Sequence, residues 1–345
     1  MVPALAIADA LRDRGAHVEF IGGERAEAEL VPAAGYPFHR LRVAGLDRTN
    51  PLRAARAAAL AARAVGVARR IVGHEIGADA VLGGGGYVAG PAGLAALSLR
   101  IPLALTEADS HLGITNRLLA PRARRVYLAF PVEGRSGGRY EVVGRPVPAG
   151  TGSADRAAAR ARFGVPGDAV CLLVFGGSLG ARRINQATVE AFGSESPCFV
   201  LHASGRRDHE ELAERLRALG DPPHYRLEPY VTPFADALAA ADLAVARSGG
   251  SVFELAAAGL PAILVPYPHA TADHQTGNAR WMADAGAAVV VSDAELDAAR
   301  LDREVRALLA EEGRIERMAA AARALARPDA AERIAAGVLD LVRGR

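Results

Sequence analysis

The sequence contains no lysine, so arginine supplies all 41 of its permanently basic side chains. We interpret this bias, together with the abundant alanine, as the codon usage of a GC-rich genome rather than as chemistry. Acidic residues number 39, and the formal net charge is only +2. A nucleic-acid partner therefore has no support from overall electrostatics, because domains that bind nucleic acid are usually strongly basic.

Cysteine and paired carboxylates are also scarce. The two cysteines, Cys171 and Cys198, have neither metal-ligand spacing nor a third partner, which favours a reducing cytoplasm over a disulfide framework. No Asp-x-Asp motif occurs in the chain. Sites that hold a diphosphate through a divalent cation usually contain such carboxylates, so we expect neither a metal ion nor another cofactor.

Aromatic residues make up only 5% of the chain, so its apolar content is mostly Ala, Val and Leu. This composition favours helices packed on a parallel sheet over an all-β sandwich. Residues 80–99 and 255–272 carry no charged side chain, but Gly and Pro interrupt both runs. We therefore expect buried α/β segments there instead of membrane spans. An amphipathic helix pattern follows Met1, so no signal peptide is predicted.

Short strand-like runs alternate with helical ones in two series, 17–130 and 170–291, separated by a linker rich in Gly and Pro. The alternation predicts an α/β protein of two doubly wound, Rossmann-like domains that face each other across a cleft. We expect an N-terminal domain over 1–147 and a C-terminal domain over 148–327. A last helix within 328–345 is expected to pack back on the first domain.

Two glycine-rich turns of the second series, Phe175–Ala181 and Arg247–Glu254, each follow an apolar strand and precede a helix. Glycine lets backbone N–H groups approach a ligand, and a helix N-terminus favours an anionic group such as phosphate. Considered alone, a plain tight turn explains the first segment equally well. A capping residue in the first helical turn explains Glu254 better than a ribose contact does.

The segment His269–Asn278 gathers polar side chains after a further strand end. His274 and Asn278 are four residues apart, so they can lie on one helix face. Zinc is the weaker hypothesis, because the His-x4-His spacing has no third ligand nearby. Contacts to a sugar fit better, since Gln and Asn side chains offer paired donors and acceptors.

In the first series, a glycine cluster lies between a strand and a helix. Gly84, Gly86 and Ala89 fit a G-x-G-x-x-A pattern, and Glu107 ends the next strand. The same arrangement is typical of a dinucleotide site, so an NAD-dependent oxidoreductase is the main alternative.

The predicted helix 51–72 carries a stripe of arginines, namely Arg53, Arg56, Arg63 and Arg70. A basic stripe can dock on anionic lipid headgroups. More often it is the solvated face of a helix that covers a sheet, and both interpretations stay open.

Considered together, these segments resemble the MurG family, the transferases that add N-acetylglucosamine to lipid I to form lipid II in peptidoglycan synthesis. The matching segments are 2–15, 81–96, 113–121, 174–185 and 246–279, and the last is the most specific. The resemblance implies the GT-B fold, with the donor UDP-N-acetylglucosamine held mainly by the C-terminal domain.

The resemblance also implies site residues by position. On the donor side they are Gly177, Ser178, Val231, Gly249, Gly250, Ser251, Glu254, Gln275, Asn278, Asp109 and Arg145. Within that set, the Val231 backbone would face the uracil and Glu254 would bind the ribose. Gln275 and Asn278 would contact the sugar hydroxyls. The acceptor-side residues are Gly85, Gly86, Tyr87 and Asn116.

Three departures from the family pattern accompany these matches. Asp109 stands where the family usually has a donor-contacting Asn. Pro148 stands where a donor-contacting Arg is common in the family, and Arg145 lies three residues before it. The family's first strand and its G-G-T-x-G-H loop, which carries the His often proposed as general base, would come before Met1. No catalytic residue is therefore assigned within this sequence, and we expect the natural chain to continue upstream through that strand.

The implied activity is an inverting transfer to the 4-hydroxyl of the N-acetylmuramic acid of lipid I, in cell-wall synthesis and thus in cell shape and division. The implied partners are UDP-N-acetylglucosamine, the undecaprenyl-diphosphate-linked muramoyl-pentapeptide and an anionic membrane surface. We would then expect a peripheral protein on the cytoplasmic face of the cell membrane. Alternatives are a sugar-nucleotide epimerase, another glycosyltransferase of the same fold, or a non-catalytic protein that binds UDP-sugars.

Overall fold

A computed structural model describes the chain apart from residues 25, 44–50, 177–180, 271–272 and 345. The chain forms two compact units, Met1–Pro148 with Arg327–Arg345, and Ala149–Ala326. Every pairing between named strands in the described part is parallel, and helices alternate with the strands. The predicted class, two Rossmann-like α/β domains, is confirmed.

The first unit begins with a helix and then alternates strands and helices. Its helices are α1 (Val2–Arg12), α2 (Glu27–Ala33), α3 (Pro51–Arg70), α4 (Gly86–Ser98) and α5 (Ile114–Leu119). Its strands are β1 (Phe20–Gly22), β2 (Phe38–Arg40), β3 (Val81–Gly83), β4 (Leu103–Glu107), β5 (Arg125–Leu128) and β6 (Tyr140–Val142). They pair as one two-stranded sheet, β1-β2, and one four-stranded sheet, β3-β4-β5-β6.

The second unit is built on one six-stranded sheet. Its helices are α6 (Arg156–Phe163), α7 (Arg182–Phe192), α8 (His209–Ala218), α9 (Phe234–Ala240), α10 (Val252–Ala258), α11 (His274–Asp284), α12 (Ala298–Ala310) and α13 (Arg314–Leu325). Its strands are β7 (Cys171–Phe175), β8 (Phe199–Ala203), β9 (Tyr225–Glu228), β10 (Leu243–Ala246), β11 (Ala262–Leu264) and β12 (Ala288–Val290). The order across the sheet is β12-β11-β10-β7-β8-β9.

The central strands of this sheet are buried because both faces carry helices. All residues of β7 and β10 are buried, and both strands are continuous apolar runs rather than alternating ones, as is typical of covered parallel sheets. Leu172 and Val245 pack in one core cluster with Ile184 of α7 and Leu301 of α12. The carboxyl ends of the strands are thereby held in fixed positions at one edge of the sheet.

The last helix, α14 (Ala330–Arg343), belongs to the first unit. Ile334 and Val338 of α14 pack in one cluster with Ile7 and Leu11 of α1, and Tyr127 of β5 lies in the same cluster. The two helices cover one face of the four-stranded sheet. This contact explains why the end of the chain folds with its beginning.

Several element bounds differ from the sequence predictions. Helix α4 begins at Gly86, inside the glycine cluster that the sequence analysis places before the helix, and positive φ angles at Gly85 and Gly86 turn the chain into it. Helix α3 ends at Arg70 and continues as a π-helical turn over Ile71–Glu75. Strand β6 and helix α5 were not predicted, since each is too short to show a hydrophobic period.

The two uncharged runs form strand, turn and helix segments, as the sequence predicts, but the first is only partly buried, because Tyr87 and Leu94 are exposed. Residues 80–99 supply β3 and α4, and residues 255–272 include the end of α10 and all of β11. Among the helices that the structure describes, none has both the length and the apolarity needed to cross a bilayer.

Candidate functional site

The sheet of the second unit has a topological switch point between β7 and β10. From β7 the chain proceeds through β8 to β9 on one side of the sheet, and from β10 through β11 to β12 on the other. Doubly wound sheets bind ligands outside the carboxyl ends of the strands at such a point. The loops after β7 and β10 are the two glycine-rich turns of the sequence, so neighbouring strands bring them to one edge.

The loop after β7 is described only at its ends, and Gly177 and Ser178 lie outside the described residues. A Cβ added to Gly176 would lie 2.1 Å from Cβ of Ala181, so only glycine allows the two ends of the loop to approach this closely. Helix α7 begins directly afterwards at Arg182. Its first backbone N–H groups therefore face the switch point, where an anionic group would be stabilised.

The loop after β10 is joined to helix α11 by two hydrogen bonds. The Ser248 hydroxyl donates to the Gln275 carbonyl over 2.7 Å, and Asn278 Nδ2 donates to the Ser248 carbonyl over 3.0 Å. Asn278 is only 2% exposed, and its Oδ1 has no hydrogen-bond partner among the described residues. The structure therefore gives Asn278 a part in supporting the loop, while its contact with a sugar stays a prediction.

Gln275 lies beside the glycines of the same loop. Its Oε1 accepts the backbone N–H of Tyr267 over 3.0 Å. Its Nε2 lies 3.9 Å from the position that a Cβ on Gly249 would occupy. The predicted donor-side residues Gly249, Gly250 and Gln275 are thus brought together, with the Gln275 amide directed at the glycine loop.

Ser251 and Glu254 lie at the start of α10. Ser251 is the N-cap residue but makes no capping hydrogen bond with its side chain, and its hydroxyl lies 3.4 Å from the Arg247 carbonyl oxygen. Glu254 lies in the first turn and is partly exposed. Because helix α10 has only seven residues, we expect the backbone N–H groups of the glycine loop to contribute more to binding an anionic group here than the helix dipole does.

The loop after β9 carries a feature that the sequence prediction missed. Val231 is buried, so only its backbone can face a ligand, whereas the preceding residue, Tyr230, is 69% exposed. Phe175 at the end of β7 and Phe234 at the start of α9 pack edge to face with ring centroids 4.9 Å apart. An exposed aromatic ring next to the predicted uracil position can stack on a base. The signal was available, because aromatic residues are rare in this chain.

A buried polar network supports the loop after β8. His202 Nδ1 lies 2.7 Å from the Tyr225 hydroxyl and Nε2 lies 3.0 Å from Asn185 Oδ1. Asn185 Nδ2 donates to the Ser204 carbonyl and to Asp208 Oδ2. Because the Asn185 amide nitrogen is already a donor, Nε2 of the imidazole must donate and Nδ1 must accept from tyrosine. Burial lowers the pKa of His202 to about 3, so the ring is neutral.

In the first unit, Glu107 organises the loop that follows β4. Its Oε1 accepts hydrogen bonds from the backbone N–H groups of Ala108 (3.0 Å) and Asp109 (3.3 Å). Its Oε2 accepts hydrogen bonds from the backbone N–H of Gly113 (2.8 Å) and from Asn116 Nδ2 (2.9 Å). Both carboxylate oxygens are therefore occupied by groups of the protein itself. This arrangement argues against the dinucleotide alternative, in which Glu107 would bind ribose hydroxyls.

The predicted acceptor-side residues divide into buried and exposed ones. Asn116 is 1% exposed and supports the loop through Glu107, and its Oδ1 has no hydrogen-bond partner in the described part of the chain. Gly85 and Gly86 have φ angles of 79° and 74°, which favour glycine. Tyr87 is exposed, so of this set it is the side chain available for contact with an acceptor.

The two remaining donor-side predictions, Asp109 and Arg145, also lie in the first unit. Asp109 follows β4 and is partly exposed, and Arg145 follows β6 and is partly exposed as well. Both therefore lie after the carboxyl ends of strands, where doubly wound domains bind ligands. Their contact with the donor stays a prediction.

Metal binding at His269–Asn278 gains no support from the geometry. Across the residues that the structure describes, no group of three or more His, Cys, Asp or Glu side chains is placed to hold a metal ion. Asp273 instead accepts the Thr276 hydroxyl over 2.6 Å at the start of α11, and His269 packs edge-on against Tyr267.

Comparison with protein families gives two matches in chain order. The model of the glycosyltransferase family 28 N-terminal domain matches residues 1–128. The model of the glycosyltransferase family 28 C-terminal domain matches residues 171–334.

Comparison with individual proteins gives relatives that align over nearly their whole length. A UDP-N-acetylglucosamine–N-acetylmuramyl-(pentapeptide) pyrophosphoryl-undecaprenol N-acetylglucosamine transferase of Salinibacter ruber is 42% identical, covering 98% of this chain and 93% of the relative. The transferase of the same name from Rubrobacter xylanophilus is 43% identical, covering 96% and 98%. Among solved structures, MurG of Acinetobacter baumannii superposes with a TM-score of 0.78 at 28% identity, covering 98% and 95%.

Proposed function

We infer the function of this chain from its family, because it belongs to the glycosyltransferases of family 28 and, within them, to the MurG family, with the GT-B fold. It transfers N-acetylglucosamine from UDP-N-acetylglucosamine to lipid I and so forms lipid II in peptidoglycan synthesis. The observation that carries this conclusion is the 43% identity to a curated transferase over 96% of this chain and 98% of that protein.

The geometry of the second unit supports a donor site at the β7–β10 switch point. In this proposal the start of α7 and the Gly249–Gly250 loop donate backbone N–H groups to the diphosphate, and Glu254, in the first turn of α10, accepts ribose hydroxyls. Tyr230 lies beside the proposed uracil position. We assign donor binding to residues 148–327 and acceptor binding to residues 1–147.

The reaction we propose is a single displacement with inversion. The 4-hydroxyl oxygen of the acceptor forms a bond to the anomeric carbon, the bond from that carbon to the diphosphate oxygen breaks, and UDP leaves with the electron pair. The hydroxyl proton passes to a general base. The contribution of the described residues is to orient the donor and to stabilise the charge that develops on the diphosphate.

For the lipid-borne acceptor, we propose that the first unit docks on an anionic membrane surface. Helices α4 and α5 pack together and expose large apolar side chains, namely Tyr87, Leu94, Ile114 and Leu118. Arg117 in α5 and Arg122 just after it are exposed, and so are Arg63 and Arg70 of α3, which packs against α4. Arg70 also pairs with Glu75 over 2.9 Å. Arg53 and Arg56, the rest of the predicted stripe, have side chains outside the described part. An apolar patch with basic residues around it suits the boundary between headgroups and acyl chains. This surface would make the protein peripheral on the cytoplasmic face of the cell membrane.

The activity is tested with purified protein, labelled UDP-N-acetylglucosamine and lipid I. We expect label to enter the lipid only when lipid I is present. Conversion of the sugar nucleotide without an acceptor would indicate an epimerase, and binding of UDP without any turnover would indicate a non-catalytic binding protein.

The donor site is tested by substituting Glu254. We expect Glu254→Ala to weaken UDP binding in isothermal titration by about 1–3 kcal/mol, the scale for losing a charged hydrogen-bond partner. Glu210→Ala is the matched control, because Glu210 also is an acidic residue in a first helical turn, that of α8. Both variants lose a similar stabilisation of the helix. Equal UDP affinity in the two variants would show that Glu254 acts only on its helix.

A further inference from the structure

We propose that Asp293 is a positioning residue for the donor site, acting through Arg247 and Arg183. The proposal rests on the proposed function, because it assigns a role in UDP-sugar binding to a side chain outside the glycine loops. Asp293 is the first residue of a short 3-10 turn, Asp293–Glu295, which follows the end of β12 at Val290 after two intervening residues. We call Asp293, Arg247 and Arg183 the Asp293 cluster.

The carboxylate of Asp293 lies between two guanidinium groups. Its Oδ1 lies 2.6 Å from Arg247 Nη1, and its Oδ2 lies 4.0 Å from Arg183 Nη1. The first contact is a close ion pair without the alignment of a good hydrogen bond. Arg183 lies in the first turn of α7 and Arg247 in the loop after β10, so one carboxylate at the end of the sheet lies near both.

Arg247 connects the ends of two strands at the donor site. It directly follows β10 and precedes the Gly249–Gly250 loop, and its side chain is only 7% exposed. The same Nη1 donates to the carbonyls of Val265 (3.2 Å) and Pro266 (3.4 Å) after β11. Its guanidinium also lies over the ring of Tyr267, with Cζ 5.4 Å from the ring centroid. Tyr267 in turn donates its backbone N–H to Gln275.

Arg183 connects the start of α7 to the turn that contains Asp293. Its Nε donates to the Leu296 carbonyl over 2.9 Å and its Nη2 donates to the Ala294 carbonyl over 3.0 Å. Helix α7 directly follows the loop of Gly177 and Ser178. The position of that helix start therefore depends on the turn after β12.

The physical argument is that a nearly buried guanidinium needs an opposite charge. Arg247 is held in low-dielectric surroundings, and removing one partner of a buried ion pair leaves an uncompensated charge. The charge of Asp293 fixes the place of Arg247, and Arg247 fixes the glycine loop against the loop after β11. A shift of about 1 Å in such supporting groups is enough to lower binding or rate strongly.

The test is Asp293→Asn, which keeps the shape of the side chain and removes its charge. We expect the KM for UDP-N-acetylglucosamine and the dissociation constant for UDP to rise about tenfold, because the donor loops lose their fixed geometry. The KM for lipid I should stay unchanged. The matched control is Glu295→Gln, which removes a charge two residues away in the same turn, where the exposed Glu295 pairs with the partly exposed Arg300 at 3.4 Å. Glu295→Gln should leave all three constants unchanged.

Equal losses for donor and acceptor, or no change at all, would overturn the proposal. If Asp293→Asn does not fold, Arg183→Gln carries the test, because Arg183 is about half exposed and its loss leaves Arg247 paired. It should raise the UDP dissociation constant and leave the KM for lipid I unchanged, and an unaltered UDP dissociation constant would equally overturn the role. An unsubstituted protein that binds no UDP would instead contradict the proposed function.

Discussion

Tyr127 and Gly337 are in unusually close contact inside the first unit. A Cβ added to Gly337 of α14 would lie 1.9 Å from the Tyr127 hydroxyl oxygen and 3.0 Å from Cζ. Alanine usually stabilises a helix relative to glycine, but here the buried ring would have to move. We expect Gly337→Ala to lower the free energy of unfolding by about 1–3 kcal/mol, the range for overpacking a core. Urea unfolding followed by circular dichroism measures it.

The control for this prediction is Gly66→Ala in α3, where a Cβ would meet no atom within 4 Å. Its free energy of unfolding should rise by up to about 1 kcal/mol, because only the helix propensity changes. Tyr127→Phe should rescue Gly337→Ala, since it removes the clashing oxygen, which has no hydrogen-bond partner among the described residues. Additive effects of the two substitutions would show that the contact does not limit the packing.

At the scale of elements, the network around His202 joins β8, β9 and α7. Burial lowers the pKa of His202 from 6.5 to about 3. Between these values the unfolded chain binds a proton at this site and the folded chain does not, so stability falls as the pH drops below about 6.5. We expect His202→Gln to reduce this loss of stability between neutral pH and pH 5, a comparison made by urea unfolding. Glutamine can still donate to Asn185 and accept from Tyr225.

The control is His111→Gln, because His111 is exposed. This variant should keep the same pH dependence as the unsubstituted protein. If His202→Gln and the unsubstituted protein lose stability in parallel on acidification, titration of His202 does not set the acid sensitivity.

The alternation of strands and helices could be predicted from the sequence because buried parallel strands are continuous apolar runs. The predicted second series, residues 170–291, begins one residue before β7 and ends one residue after β12. Strand β6 could not be found, since three residues between glycine turns carry no period. A single sequence also does not show which side chains that are far apart in the chain contact each other in the fold. The contacts of Asp293 with Arg183 and Arg247 join residues that are 110 and 46 positions apart in the sequence, and no spacing rule predicts them.

The candidate site was predictable where chemistry follows a local pattern. The glycine loops directly follow strands β7 and β10, and Gln275 lies at the start of the helix that follows β11, positions that the alternation of strands and helices indicates. The roles of Asn116, Asn278 and Glu107 were harder to predict, because a polar side chain after a strand can face a ligand or turn inward. Burial decides between these possibilities: Asn116 and Asn278 are nearly inaccessible and support the loops around them.

At the scale of the whole molecule, the substrate pair sets the physical problem. The donor is a small, water-soluble nucleotide sugar, whereas the acceptor is attached to a lipid that stays in the membrane. Our proposal is that the protein reaches the acceptor from the membrane surface through the exposed apolar side chains of α4 and α5. The exposed apolar side chains on α4 and α5 lie in the first unit, to which we assign acceptor binding, and the donor loops lie in the second.

We therefore expect the protein to bind phosphatidylglycerol vesicles and to bind phosphatidylcholine vesicles much less. Binding should weaken as salt rises, because the screening length falls to about 10 Å at 0.1 M ionic strength. The substitution pair Leu94→Gln and Leu118→Gln should reduce vesicle binding in a sedimentation assay, since each leucine loses apolar contact with the lipid. Leu219→Gln is the matched control, because Leu219 is a similarly exposed leucine of the second unit. UDP binding should be the same in all these variants. Equal binding to neutral and anionic vesicles, or equal losses from Leu219→Gln, would contradict docking through α4 and α5.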